Sequence, residues 1–498
     1  MVESVIEYLQ NCAESFPSKT AVGYRDRSVT FDELNETAKQ YGASIKKALD
    51  GKTGAPVGVL CTRDILPVIE FFGVLYSGNF YVPLDPDAPA EKLESIVSDC
   101  GMSVIAGSSE LSNIPEKIGF SGKYITPDCL TDEKCSVPEN AGKRSPLYMV
   151  YTSGSTGKPK GVLKSHGAEI SFIEAYCEEF DFTKDDIIGN QTPFFFDAAA
   201  KDIYLMVKMG ITLEIIPSEY FPLPPELINY LNLKKITFAS WVPTVLSIVS
   251  QLNPFSVIKP QTLKNVFFVG EVMPMKHLNT WRKELPDIRY VNLYGQSELC
   301  GICSYYEVKG EFPDDATLPM GKPLKNCEIY LVSDGEVVKE AEKIGELYIV
   351  SDALATEYYN DPEKTANCFI EKDFGNGTVR CFKTGDLAKY DKEGDLVFAS
   401  RSDFQIKHMG HRIELGEIEA VAGALPEVAR CCCLYDAERK KIKLFCELSD
   451  GCEIKDVEIR SILKAKLSSY MVPGKVIVMD KLPLNPNGKI DRQKLKLL

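Results

Sequence analysis

The stretch Tyr151-Thr-Ser-Gly-Ser-Thr-Gly-Lys-Pro-Lys-Gly161 follows the apolar run Leu147-Tyr-Met-Val150 and decides how the chain is read. Its three glycines let the backbone approach a ligand closely and turn amides toward one point. Thr152, Ser153, Ser155 and Thr156 add hydroxyl donors, and Lys158 and Lys160 add positive charge, a composition suited to polyphosphate. It is not a Walker loop, because no Ser or Thr follows Gly157-Lys158. A short piece of such sequence would be a flexible polar surface loop; eleven residues in this order after an apolar run point to phosphate.

Outward from this loop, short β-branched runs alternate with helical patterns over the first 400 residues. Val57-Gly-Val-Leu-Cys61 and Tyr81-Val-Pro-Leu-Asp85 each precede an amphipathic stretch. Thr30-Phe-Asp-Glu33 has capping-box spacing before a helix expected to run to about Leu49. This alternation predicts βαβ units and mainly parallel sheets. After Arg401 the pattern changes. A helix is expected from Arg412, then strands over Cys431–Tyr435 and Ile442–Leu448, then a helix over Asp456–Tyr470. The expected fold is α/β: a large domain of βαβ-layered sheets over 1–402, with a small β-barrel-like part, and a small mobile α+β domain over 403–498.

At 498 residues, 44% apolar and 26% charged, the chain has the composition of a multidomain globular protein. Its N-terminal residues, Met1-Val-Glu-Ser-Val-Ile-Glu7, are acidic where a secretory signal is basic. Apolar runs such as Val68–Tyr76 fall short of the ~20 residues of a membrane span. The expected location is the cytoplasm. Most of the sixteen cysteines lie singly in apolar segments, and Cys300-Gly-Ile-Cys303 has no second pair near it, so a zinc site is not expected. The net charge of −14 is uneven: residues 404–498 hold 17 Lys+Arg against 13 Asp+Glu. A basic end on an acidic body excludes general nucleic-acid binding and suits a local acidic partner.

Further motifs follow in order: Tyr294-Gly-Gln-Ser-Glu298, Phe382-Lys-Thr-Gly-Asp-Leu387, Arg401-Ser-Asp-Phe-Gln-Ile-Lys407, Gly410–Glu419 and Leu482-Pro-Leu-Asn-Pro-Asn-Gly-Lys-Ile-Asp-Arg492. Together these resemble the adenylate-forming superfamily of acyl-CoA synthetases, luciferases and the adenylation domains of nonribosomal peptide synthetases. The resemblance covers nearly the whole chain. It implies an ATP-dependent, Mg²⁺-assisted enzyme that turns a carboxylic acid into an acyl-adenylate and passes the acyl group to a thiol. A carboxylate attacking a phosphate brings two anions together, so charge must be neutralised.

Carried onto this sequence, the resemblance implies that Lys489 lies between the substrate carboxylate and the α-phosphate. Glu298, with Ser297, would hold Mg²⁺, while Thr152, Ser153, Gly154, Ser155, Thr156, Gly157 and Lys158 would cover the phosphates. Tyr294 would stack on adenine beside Gly270-Glu271, with Asn292 and Gly295 in the same nucleotide site. Asp386 would accept the ribose hydroxyls and Arg401 would contact the ribose and phosphate region. Asp403 matches a hinge whose rotation withdraws Lys489 and brings Lys407 in. Gln296 and Ser297 replace the more usual Pro and Thr.

Phe196-Asp197-Ala-Ala-Ala-Lys-Asp-Ile-Tyr204 resembles the amino-acid-activating branch, in which an Asp meets the substrate ammonium. The bland role for Asp197 is a helix N-cap. Asp202-Ile-Tyr204 and Gly270-Glu-Val-Met-Pro274 resemble stand-alone D-alanine–carrier protein ligases, which implies an amino acid substrate and a separate phosphopantetheinylated carrier protein. The pocket residues implied are Asp197, Ala198, Lys201, Ser240, Phe267, Val269, Leu293, Gly301 and Ile302. Lys201 falls four residues after Asp197 and is expected either to pair with it or to select an acidic substrate. The alternatives are an acyl- or aryl-CoA ligase using free CoA and a non-catalytic nucleotide-binding protein.

Overall fold

The computed structural model describes residues 2–152, 159–401, 405–437, 439–449, 451–483 and 490–497. Two compact units divide the chain: Met1–Pro86, Cys100–Val150 and Gly161–Ser402 form one, and Asp87–Asp99, Tyr151–Lys160 and Asp403–Leu498 the other. The architecture is mixed α/β, with a large N-terminal domain and a small C-terminal one. Ser153–Lys158, Asp403 and Lys489 lie outside the described residues.

The large unit is built on two mainly parallel sheets. In the nine-stranded sheet, Thr20–Tyr24, Thr212–Ile215, Ile187–Asn190, Phe238–Trp241, Asn265–Val269 and Arg289–Tyr294 run parallel. Antiparallel strands flank them on both sides. The seven-stranded sheet sets Pro146–Thr152 beside Phe80–Leu84, with Lys160–Ser165 on its other side. A six-stranded antiparallel sheet, centred on Gly345–Ser351 and Thr378–Tyr390, is the counterpart of the expected β-barrel-like part; its pairing leaves it open among the described residues.

Thr30 and Glu33 form the expected capping box, and the helix runs Phe31–Ala48. This helix packs on Leu66–Tyr76, whose Pro67–Tyr76 are all buried. Two glycines bring the helices together. A Cβ on Gly73 would lie 2.4 Å from Cβ of Tyr41, and one on Gly42 would lie 2.8 Å from Cβ of Tyr76. No larger residue fits either position without parting the helices.

In the small unit the helix begins at Leu415, not Arg412. Met409 and Gly410 take positive φ (53° and 80°) and close a hairpin of Gln405–His408 on His411–Glu414. That turn commits Arg412-Ile-Glu414 to a strand. Strands Val428–Asp436 and Lys441–Leu448 form as expected, and Lys475–Met479 adds a parallel third. The helix from Asp456 ends at Lys466. Cys432 and Cys433 belong to different apolar clusters, as neighbouring strand residues must. None of the sixteen cysteines is joined in a disulfide. Among the described residues no helix is long and apolar enough to cross a membrane.

Glu70, on the helix Leu66–Tyr76, is fully buried, and neither carboxyl oxygen has a hydrogen-bond partner among the described residues. Burial pushes its pKa well above the ordinary value. The folded state therefore holds a proton that the unfolded state releases, and stability falls as pH rises from the unfolded pKa toward the folded one. Glu70→Leu should raise the melting temperature at neutral pH, removing a cost of about 1–3 kcal/mol for a buried polar group, and should flatten its pH dependence. Thermal melts across mildly acidic to mildly alkaline pH check both.

Candidate active site

Two clusters of buried polar groups lie in the large unit. The first gathers around Asp197, which opens the short turn Asp197–Ala199 before the helix Ala200–Met209. Its side chain caps neither element. Instead Oδ1 accepts hydrogen bonds from the Tyr148 hydroxyl at 3.0 Å and from the Lys164 ammonium. Tyr148 and Lys164 stand on neighbouring strands of the seven-stranded sheet. Lys164 is completely buried; its ammonium also donates to the Tyr148 oxygen at 3.2 Å and to the Leu299 carbonyl at 2.7 Å.

Burial works against the Lys164 charge, yet Asp197, Cys300 and Glu169 together hold its pKa above the ordinary lysine value. Burial raises the Asp197 carboxyl, while Lys164 and Tyr148 pull it back down. Glu169, 3.4 Å from the Tyr148 hydroxyl, is pushed up to about 7 by burial. The phenol stands between the two carboxylates.

Asp197 also lines a small, partly open recess of about 10 Å³ with Phe71, Tyr81, Tyr148, Phe194 and Phe196. Tyr81 stacks on Phe71 at 4.2 Å and on Tyr148 at 5.3 Å, centroid to centroid. Of the nine pocket residues expected from sequence, only Asp197 lines this recess. Phe267 is buried in an aromatic cluster, 4.7 Å from Phe180 and 4.9 Å from Phe238. Gly301 (φ 73°) packs directly on the Phe172 ring. Leu293 and Ile302 are core residues, and Ala198 and Val269 are half-buried. Ser240 is buried with its hydroxyl unpartnered.

Lys201 departs from both expectations. Its ammonium pairs with neighbouring Asp202, whose other oxygen accepts from Asn190 at 3.1 Å. Asp197 takes Lys164 instead, because the turn at 197–199 precedes the helix proper and breaks the i to i+4 spacing. Lys201→Met would leave Asp202 a buried unpaired charge, so it should lower stability by about 3–5 kcal/mol rather than merely change substrate choice. Denaturant unfolding of the variant checks this.

The second cluster surrounds Asp386, also buried. Its carboxylate accepts hydrogen bonds from the Tyr294 hydroxyl, from Gln296 Nε2 and from Arg401. Gln296 Nε2 also lies 3.1 Å from the Tyr294 oxygen, a contact the more usual proline would lack. Glu298 is fully buried and accepts from the Tyr358 hydroxyl at 2.7 Å; Ser297 beside it is half-buried. Glu271 accepts from the Thr244 amide at 3.1 Å and hydroxyl at 2.6 Å, after Gly270 with φ 99°. Asn292 donates to the Pro319 carbonyl at 2.7 Å. A Cβ on Gly295 would strike the Gly301 carbonyl at 2.3 Å.

Within the small unit, Lys407 sits half-buried on the hairpin, and Lys160 lies 3.5 Å from Glu414. The Thr152 hydroxyl oxygen is buried and has no hydrogen-bond partner among the described residues. The composition of the loop after Val150 did not reveal that one of its two lysines has a carboxylate beside it. Sequence reasoning also missed Tyr148, Lys164, Glu169 and Gln296. Lys164 carried only the weak signal of a lysine directly after the short run Gly161-Val-Leu163, and Gln296 that of a departure from the usual proline.

Such paired carboxylates and convergent donors suit a site that handles charged substrates. The family described as AMP-binding enzyme matches residues 9–359, and its C-terminal domain matches 417–489. The chain belongs to the AMP-binding, adenylate-forming enzymes. Tyrocidine synthase 1 of Brevibacillus parabrevis is 30% identical over 99% of this chain, which spans 45% of that protein. The o-succinylbenzoate CoA synthetase of Bacillus subtilis superposes with a TM-score of 0.85 at 24% identity, covering 98% of this chain and 97% of that one. An NRPS protein containing adenylation and PCP domains gives a TM-score of 0.85 at 22% identity, over 99% and 84%. These two likenesses show the fold.

The family uses ATP, typically with Mg²⁺. The donor set fits: Glu298 is an anionic oxygen donor of the kind Mg²⁺ takes one or two of beside phosphates. Asp386, already holding three donors, can accept hydroxyl protons from a ribose that displaces some of them. Asp386→Asn in this adenylate-forming chain should raise KM for ATP about ten- to a hundredfold, the cost of one charged hydrogen bond. Steady-state pyrophosphate release against ATP concentration checks this.

Proposed function

We propose that the chain adenylates an amino acid at the expense of ATP and passes the aminoacyl group to the phosphopantetheine thiol of a carrier protein, in the manner of D-alanine–carrier protein ligases. The observation that carries the reading is Asp197: a half-buried carboxylate at an aromatic recess, with Oδ1 bonded and Oδ2 bearing no hydrogen bond among the described residues. A substrate ammonium meeting Oδ2 gains a charge-assisted bond in a place of low dielectric. Lys201 is committed to Asp202, which removes the support for an acidic side chain and favours a small substrate. The excess of basic residues over 404–498 suits an acidic carrier.

In this reading Asp386 and Arg401 bind the ribose, and Tyr294 and Gln296 orient Asp386. Glu298 is the protein ligand for Mg²⁺, which when bound would screen phosphate charge. Lys489, Lys158 and the hydroxyls of the loop neutralise the approach of carboxylate to phosphate. Lys407 serves the thiol-transfer conformation reached by rotation at Asp403.

The test is pyrophosphate release with ATP, Mg²⁺ and each amino acid in turn, with hydroxylamine to trap the adenylate. One or a few small amino acids should respond strongly, and loading of a phosphopantetheinylated carrier should follow. Lys489→Ala should abolish release while leaving ATP binding in place. Activity only with simple carboxylic acids and free CoA would overturn the reading in favour of an acyl-CoA ligase.

A further inference from the structure

Asp197 does not stand alone: a lysine with no exposed surface is built against it. A buried ammonium is costly unless its protons are all bonded. Here all three are satisfied, by Asp197 Oδ1, the Tyr148 oxygen and the Leu299 carbonyl. These partners come from a turn, a strand and a loop, so Lys164 ties three separate segments together.

The arrangement is asymmetric. Both donors, Lys164 and Tyr148, fall on Oδ1, and Oδ2 takes none among the described residues. Two fixed donors on one oxygen set the plane of the carboxylate, and a ligand cation meets the other oxygen. The surrounding charges matter too. Lys164 faces two carboxylates, Asp197 and Glu169, with Tyr148 and Cys300 beside them and Glu298 acting on Asp197 from a distance.

We infer that Lys164 is a positioning and specificity-determining residue: it holds Asp197 ionised and oriented, with one oxygen presented to the ammonium of the substrate. Lys164 does not touch the substrate; it acts through Asp197. This assignment rests on the amino-acid reading above. A neutral, protonated Asp197 would lose its preference for an ammonium over a methyl group, and burial drives the carboxyl toward that form wherever Lys164 is absent.

The experiment compares the intact protein with Lys164→Met, Lys164→Gln and Tyr148→Phe, each checked for folding by thermal melting. Pyrophosphate release is measured with the best amino acid and with its analogue lacking the amino group, such as alanine against propionate. The readout is the ratio of kcat/KM for the two acids, with KM and kcat taken separately. Lys164→Met should lower that ratio about ten- to a hundredfold, the value of one charged hydrogen bond, chiefly through KM for the amino acid. Lys164→Gln, which keeps a donor without charge, should fall between, and Tyr148→Phe should give a smaller drop. Should neither Lys164 variant fold, Tyr148→Phe keeps the ring and decides the matter.

A wild-type enzyme that uses amino acids, with folded variants that keep its ratio, would overturn the role of Lys164 and leave the proposed function standing. A ratio that rises in Lys164→Met would overturn it as well, since Lys164 would then compete with the substrate for Asp197. A wild-type enzyme that uses no amino acid would overturn both.

Discussion

Charge inside a low-dielectric interior has to be answered by charge or by several hydrogen bonds, and this constraint organises the large unit. Lys164 with Asp197, Lys201 with Asp202, and Arg401 with Asp386 are three such answers. Lys164 with Asp197 joins separate segments, whereas Lys201 with Asp202 lies within one helix and Arg401 with Asp386 spans two paired strands. Around Asp197 the directional groups are hydroxyl, ammonium and carbonyl; around Asp386 they are phenol, amide and guanidinium. An adenylating enzyme handles ATP and an ionised acid, so the same groups that fix the backbone also define where ligand charge can settle.

The two clusters differ in how they treat an incoming ligand. Asp386 holds all three of its donors on one carboxylate, two of them on a single oxygen, and a ribose would have to exchange with them. Asp197 keeps one oxygen out of its network. The first site trades bonds already made; the second offers a bond not yet made. On the proposed assignment, nucleotide recognition would be tuned by what is given up, and acid recognition by what is gained.

Much of the fold was legible because periodicity and capping act over a few residues. Thr30 and Glu33 announced their helix, and the alternation of β-branched runs with amphipathic stretches announced parallel sheets. The hairpin at Met409-Gly410 was misread because Leu415–Gly423 has a helical pattern that extends backward over Arg412, while a turn with positive φ leaves only a weak mark in sequence. The motifs named Asp197, Tyr294, Asp386 and Arg401, which lie in the two polar clusters. Their partners were not named, since Lys164 and Tyr148 lie 33 and 49 residues from Asp197. Lys201 shows the opposite error: a nearby spacing suggested a partner, and a still nearer residue took it. Local rules reach local structure, whereas ion pairs are chosen by tertiary topology.

The glycine contact between helices Phe31–Ala48 and Leu66–Tyr76 bears on the order in which the chain assembles. Only the strand Pro56–Leu60 separates the two helices, so closing the loop between them costs little entropy. Their backbones meet without an intervening layer of side chains, and the second helix carries the apolar face on which strands must land. A pair of this kind forms from short-range encounters, early in synthesis and ahead of the distant strands. The later β segments then condense on a template already made, which reduces the time that their unpaired edges spend open to other chains.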